Sequence, residues 1–244
     1  MSPLIQLRNV TKRYDTTDAL SGVTFSVQRG EMFGLIGSDG AGKTTTIRLM
    51  CGLLRAGRGD VDVFGRNPVR DHRLITGKIG YLSQHFSLYG DLTIDENVAF
   101  FAEIHGLRRF DERRNQLLDM TQLTPFRDRL AGRLSGGMKQ KLALICTLIH
   151  QPELLLLDEP TTGVDPVSRR EFWKLLAEFL SRGVTIVMST PYLDEAERCS
   201  HVVLLHEGKL LASDDPARLR ASLPGNASLE DVFVHRLTAE AATP

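Results

Sequence analysis

The stretch Gly37-Ser38-Asp39-Gly40-Ala41-Gly42-Lys43-Thr44-Thr45 carries glycines, a lysine and hydroxyls at the spacing of a phosphate cradle. An apolar run, Met32–Ile36, precedes it, and Thr46–Met50, of helical composition, follows. A strand, a glycine-rich turn and a helix in that order turn backbone N–H groups inward and add the positive end of the helix dipole. Gly37, Gly40 and Gly42 remove the Cβ atoms that would obstruct that turn. Lys43 is then set to reach the β- and γ-phosphates of a nucleoside triphosphate, and the Thr44 hydroxyl to coordinate Mg²⁺. As a loop residue, Lys43 is expected outside the core.

A second group is Leu154-Leu155-Leu156-Leu157-Asp158-Glu159. An apolar strand ending in aspartate brings a carboxylate beside a phosphate loop, where it holds Mg²⁺ directly or through water. Glu159 can orient a water or take its proton. A buried strand ending in a solvated acidic turn is the bland alternative, and it loses weight beside a complete phosphate loop. A third group, Leu134-Ser135-Gly136-Gly137-Met138-Lys139-Gln140, offers a hydroxyl, two unhindered N–H groups and a helix start, the makings of a second anion site.

These groups need elements to hold them. Leu4–Val10 alternates apolar and polar residues as a half-buried strand does, with Thr11–Asp15 read as a polar turn after it. Val23, Phe25 and Val27 alternate again, which suggests an antiparallel flap on a mixed sheet. Asp60–Phe64 and Ile79–Ser83 read as further strands. Thr93 and Glu96 form a capping box, with Ile94, Val98, Phe101 and Ala102 at helical spacing behind it. Asp165-Pro166 opens a helix whose buried stripe is Phe172, Leu175, Leu176, Phe179 and Leu180. Thr185–Ser189 and Val202–Leu205 are short strands, and Ala239–Pro244 is expected to be disordered.

Thirty basic residues balance thirty acidic ones in 244, so no global field draws the chain to nucleic acid or anionic lipid. No apolar run reaches the ~18–20 residues of a membrane span, so membrane contact is expected through a partner. Cys51, Cys146 and Cys199 share no metal-ligand spacing, which suits packing roles in a reducing compartment.

Leu134–Gln140, together with Gln84, Asp158-Glu159 and Asp165, makes the chain resemble the nucleotide-binding domain of ATP-binding cassette (ABC) transporters over nearly its whole length. The resemblance implies an α/β P-loop NTPase with a RecA-like core, an antiparallel β flap and an inserted helical subdomain. Residues 1–85 and 151–215 would be the core, 86–150 the helical subdomain and 216–244 a C-terminal extension. Two such domains would sandwich two ATP molecules, with Ser135, Gly136 and Gly137 contacting the γ-phosphate held by the opposite domain. Tyr14 matches the aromatic that stacks on adenine, the bland alternative being a strand-edge tyrosine. Gln84 matches the glutamine that senses Mg²⁺ and the lytic water and links to the membrane domain. Asp165 matches the loop residue that communicates across the dimer. The stretches Gln84–Tyr89 and Leu92–Asn97 and the tail Ser228–Phe233 resemble type-2 exporters, most of all multidrug or sodium/lithium efflux ATPases. The partners implied are a second nucleotide-binding domain and an integral membrane permease at the cytoplasmic face of the inner membrane; no nucleic acid is expected.

Two positions depart from the family pattern. Pro191, in Ser189-Thr190-Pro191-Tyr192, stands where the family has its switch histidine, and it has neither a side-chain donor nor a backbone N–H. Asp39 stands where asparagine is usual. Pro191 keeps open a regulatory half that holds ATP with little turnover. A soluble relative in DNA repair, translation or iron–sulfur assembly is the other alternative; the exporter-like tail and neutral charge balance speak against it.

Overall fold

A computed structural model describes residues 2–84, 88–225 and 227–241. Its centre is a six-stranded sheet in the order β5-β6-β7-β3-β8-β9, made of β3 (Met32–Ile36), β5 (Ile79–Leu82), β6 (Leu154–Asp158), β7 (Thr185–Thr190), β8 (His201–His206) and β9 (Lys209–Asp214). All neighbours are parallel except the edge pair β8–β9. Strands β3, β6 and β7 are buried at every residue, and their near-continuous apolar sequences are what strands covered on both faces require.

Successive side chains of β6 serve opposite faces of the sheet. Leu154 and Leu156 join a cluster with Ile47 and Met50 of α1 (Lys43–Met50) and with the flap residues Ile5, Leu7 and Val23. Leu155 and Leu157 join another with α5 (Gly136–Leu148) and α6 (Pro166–Ser181). Truncating any one of these fully buried leucines to alanine costs about 2–5 kcal/mol, so both ends of β6, including the one bearing Asp158, are firmly held.

The flap is a separate antiparallel sheet of β1 (Ile5–Tyr14), β2 (Thr17–Val27) and β4 (Arg58–Val63) in the order β2-β1-β4. Here the expectation of a turn at Thr11–Asp15 is wrong. Lys12, Arg13 and Tyr14 pair with Leu20, Asp18 and Thr17, so β1 runs on to Tyr14. Cross-strand partners, invisible to local composition, decide it.

Between β5 and β6 lie α3 (Ile94–Ile104), α4 (Asp111–Thr121) and α5. The capping box of α3 forms with both reciprocal bonds, and Ile94, Val98 and Ala102 are fully buried. Ser135 caps α5 and Asp165 caps α6, with Pro166 in the first turn. The short helices α2 (His72–Ile75), α7 (Leu193–Ala196) and α8 (Pro216–Ala221) complete the chain before α9 (Leu229–Ala241). Helix α9 overturns the expected disorder at Ala239–Ala241. Reciprocal Ser228–Asp231 bonds close its start and buried Leu229 and Val232 anchor it. The rest of that stretch, 242–244, and the expected opening of the helical subdomain at Phe86 within Gln84–Tyr89 lie outside the described residues. All three cysteines are buried and free, with burial pushing the Cys199 thiol up to about 12.

Candidate nucleotide site

The Gly37–Thr45 loop leaves the carboxyl end of β3 and enters α1. Gly37 packs so tightly that a Cβ would sit 2.3 Å from the Leu205 carbonyl oxygen. Gly42 has φ of +100° and a Cβ there would meet the Ala19 carbonyl at 2.6 Å. Both positions therefore exclude other residues on backbone contacts alone. Ser38, Asp39 and Gly40 are exposed at the rim, Ala41 is buried beneath them, and Thr44 and Thr45 are half-buried.

Lys43 is not the loop-surface residue the sequence suggests. Its side chain is 4% exposed, and its ammonium donates to the carbonyls of Gly37 (2.8 Å) and Ser38 (3.0 Å) and pairs with Glu159 Oε1 (3.0 Å). Three donors thus meet three acceptors. Glu159 Oε2 accepts from Gln84 Nε2 at 3.1 Å and from the Thr162 hydroxyl at 3.4 Å. The Glu159 backbone is left-handed, φ +49°, and its N–H is held by the Ser189 carbonyl and hydroxyl. A bulky residue held in that region costs on the order of 1 kcal/mol or more, a strain that clusters at working sites.

Asp158, 1% exposed, accepts from the Ser189 hydroxyl (2.7 Å) and the Thr44 hydroxyl (3.1 Å), both on Oδ1. Its Oδ2 is buried with no hydrogen-bond partner. Burial pushes the Asp158 carboxyl above the usual aspartate range, and the neighbouring Glu159 charge pushes the same way. An orphaned carboxylate oxygen beside a threonine hydroxyl fits a hard cation that takes oxygen ligands. Among the described residues no group of three or more His, Cys, Asp or Glu could hold a metal.

The remaining sequence-selected residues are Tyr14, Ser135–Gly137 and Asp165. Tyr14, at the tip of the β1–β2 hairpin, is 41% exposed, with the Lys12 ammonium 5.2 Å from its ring centroid. Ser135 and Gly136 are exposed, and among the described residues the Ser135 hydroxyl accepts only the Met138 N–H of its own helix. Gly137 is buried where a Cβ would strike the Ser168 hydroxyl at 2.3 Å, so the starts of α5 and α6 touch. Asp165 is held below the usual aspartate range by the Ser168 amide and hydroxyl and the Val167 amide. Among the described residues, no hydrogen bond or ion pair joins Ser135–Gly137 to Gly37–Thr45.

Sequence reasoning missed Ser189, which ties Asp158 to Glu159, and Glu195, wholly buried under Thr161 and Thr190. Ser189 carried a signal, as the penultimate residue of a strand next to β6. Glu195 carried none beyond its place in an acidic helix.

A glycine loop from a buried parallel strand into a helix, with a second parallel strand, one strand removed in the sheet, ending in Asp158 against that helix's Thr44, defines a P-loop NTPase. The sequence model of the ABC transporter family matches residues 20–162, and the chain belongs to that family: it is an ATP-binding ABC ATPase domain. It is 44% identical over 93% of its length to the "Probable multidrug ABC transporter ATP-binding protein YbhF" of Escherichia coli (strain K12), and spans 40% of that relative. It is 38% identical over 88% of its length to the "Nod factor export ATP-binding protein I" of Burkholderia pseudomallei (strain K96243), covering 72% of it. Among solved structures, an ATP-binding subunit of an ABC transporter superposes with a TM-score of 0.86 at 31% identity, over 96% of this chain and 99% of that one. The dimeric ATP-binding cassette MJ0796, in a post-hydrolysis state bound to ADP and Pi, superposes with 0.77 at 28% identity, over 86% and 98%.

Proposed function

We propose that the chain is the ATP-hydrolysing component of an exporter, driving a separate integral membrane permease from the cytoplasmic face of the membrane. The observation that carries this is the convergence of Lys43, Thr44, Asp158, Glu159 and Gln84 on one loop while Ser135 and Gly136 face outward. Among the described residues no helix is long and apolar enough to cross a membrane, and the two relatives named for multidrug transport and for export support the permease reading. In this reading residues 1–85 and 151–215 bind nucleotide, 86–150 form the arm that meets the permease and 216–244 extend the fold.

ATP would bind with its adenine on Tyr14 and its phosphates among the N–H groups of Gly37–Thr45. Phosphate oxygens compete for the same Lys43 protons that the Gly37 and Ser38 carbonyls and Glu159 hold. Thr44 and Asp158 would hold Mg²⁺, assisted by Gln84, and the ion would supply charge neutralisation to the phosphates. Once Lys43 turns to phosphate, Glu159 is free to take a proton from water as the water oxygen bonds to the γ-phosphorus. The bond from that phosphorus to the β-phosphate oxygen breaks, leaving ADP and phosphate. Ser135, Gly136 and Gly137 of a second domain would close over the γ-phosphate, and Asp165 would relay that closure.

Glu159→Gln tests this. The isosteric amide keeps the shape and loses the base, so Mg·ATP should still bind, hydrolysis should fall about a hundredfold or more, and light scattering with ATP should show more dimer than wild type. Wild-type hydrolysis by the variant would remove Glu159 from the mechanism.

A further inference from the structure

A heavily bonded buried carboxylate beside the site takes no part in binding nucleotide or in the chemical step. Glu195, on α7, is fully buried. Its Oε1 accepts from the Thr161 hydroxyl (2.8 Å) and the Trp173 indole N–H (3.3 Å) and forms an ion pair with the Arg169 guanidinium (3.1 Å). Its Oε2 accepts from the Thr190 hydroxyl (2.7 Å) and again from Thr161 (3.0 Å). The single Thr161 proton is shared between the two oxygens, so three hydrogen-bond donors and one guanidinium face this carboxylate. Arg169 supplies the opposite charge that burial demands, while its guanidinium also lies 4.8 Å from the Tyr192 ring centroid.

What the donors belong to matters more than their number. Thr161 is two residues beyond Glu159, in the loop that leads to Asp165. Thr190 is the last residue of β7 and immediately precedes Pro191. Its carbonyl accepts the Gly37 N–H of the phosphate loop at 3.4 Å, and its hydroxyl accepts the Tyr192 N–H at 3.1 Å. The peptide on either side of Pro191 is therefore pinned through Thr190, and the ring restricts Thr190 to the extended backbone it adopts there. One carboxylate thus joins the Glu159 loop, the Pro191 turn and, through Thr190, the first glycine of the phosphate loop.

We propose that Glu195 is a positioning residue for hydrolysis: gripped by Thr161 and Thr190, it holds the Glu159 loop and the Pro191 turn in register with the phosphate loop. Alignment of the reacting groups is then fixed by bonds internal to the chain, not by a side chain at 191. Displacements of about an ångström at a reacting centre cost on the order of a hundredfold in rate without comparable cost in ground-state binding. The loss of one of these grips should accordingly appear in kcat rather than in affinity. The inference rests on the assignment of Glu159 to the chemical step.

The test variant is Thr161→Val, which keeps the β-branched shape and deletes the hydroxyl. Glu195→Gln, which sets amide protons against donors, is run beside it, with Thr161→Ser as the conservative rescue and Glu159→Gln as control. In the full chain, Thr161→Val should retain wild-type Mg·ATP affinity and lose about tenfold in kcat, Thr161→Ser should recover most of that loss, and the Thr161→Val/Glu195→Gln double variant should lose less than the product of the singles. A Thr161→Val kcat within twofold of wild type overturns the proposal. So does a parallel fall in affinity, kcat and melting temperature that serine does not rescue, the pattern of a purely structural contact. Undiminished hydrolysis by Glu159→Gln overturns the site assignment itself. A dead Glu159→Gln beside an unaffected Thr161→Val overturns only the role of Glu195.

Discussion

Gly37–Thr45 and Ser135–Gly137 are both glycine-bearing turns that open helices, and their surroundings are opposite. In the first, Lys43 is buried with every proton engaged, and it reaches Glu159, just past the end of a strand far along the chain. Around the second, among the described residues, Ser135 serves only its own helix, and a Cβ on Gly136 would meet nothing within 4 Å. The first turn is finished by this chain's own side chains, so substitution there disturbs a preformed network before any ligand arrives. The second offers a hydroxyl and helix-start N–H groups to whatever approaches. Variants at the two turns should therefore differ in kind, the first in affinity and stability, the second in turnover alone.

The largest effect is expected at Lys43. Lys43→Ala removes the charge that meets the β- and γ-phosphates, and charge-assisted bonds of this sort are worth about 1.5–3 kcal/mol each. Mg·ATP affinity should drop about a hundredfold or more by titration. Because Glu159 loses its buried partner, urea unfolding should also report a loss of up to about 3 kcal/mol, the Gln84 and Thr162 bonds limiting the damage. A variant with unchanged affinity would break the comparison at its stronger side.

At the other turn the informative change is Gly136→Asp. The added side chain enters open space, and an aspartate in the first turn of α5 favours the helix by about 0.3–1 kcal/mol. Stability and the Mg·ATP affinity of the monomer should be unchanged or slightly improved. The new charge faces the place where a partner's γ-phosphate would come, so steady-state hydrolysis should fall about tenfold or more, with ATP-dependent dimer lost in light scattering. If hydrolysis is untouched, Ser135–Gly137 does not act across a dimer and the two turns are not halves of one site.

The sequence made the site legible where chemistry dictates residue type at fixed spacing. Lys43 with its glycines, Asp158 at a strand end and the Thr93 and Asp165 caps could be read off directly, because each meets a local requirement that few residues satisfy. What escaped was decided by contacts distant in sequence. Tyr14 belongs to β1 because Thr17 lies opposite. Lys43 is buried because Glu159 turns its carboxylate back to it. Glu195 looks like one more acid on a solvated helix until β7 and the loop after β6 bring two threonine hydroxyls onto it. Burial, pairing and strain at these residues are properties of the assembled sheet, and no window along the chain contains them.

The smallest effect, and the one that bears on how complete the first turn is, concerns Pro191. A histidine there would add a donor toward the γ-phosphate and help hold water against Glu159. Removing one such preorganised donor from an enzyme that evolved with it typically costs on the order of a hundredfold in rate. Introducing it here should recover less. Thr190 is already fixed to Glu195 and the Tyr192 N–H to Thr190, and nothing around position 191 was selected to orient an imidazole. Pro191→His should therefore raise kcat at saturating Mg·ATP about fivefold, roughly 1 kcal/mol of barrier, with dimer formation checked in parallel and affinity little changed. A faster gain, approaching a hundredfold, would mean that the turn held by Glu195 is already set for histidine and lacks only its ring. Vigorous hydrolysis by the unmodified chain with no gain from histidine would mean that a donor at 191 adds nothing to the alignment that Thr161, Thr190 and Glu195 supply. In that case the reading of this chain as a low-turnover half fails, and the internally finished turn needs nothing at position 191.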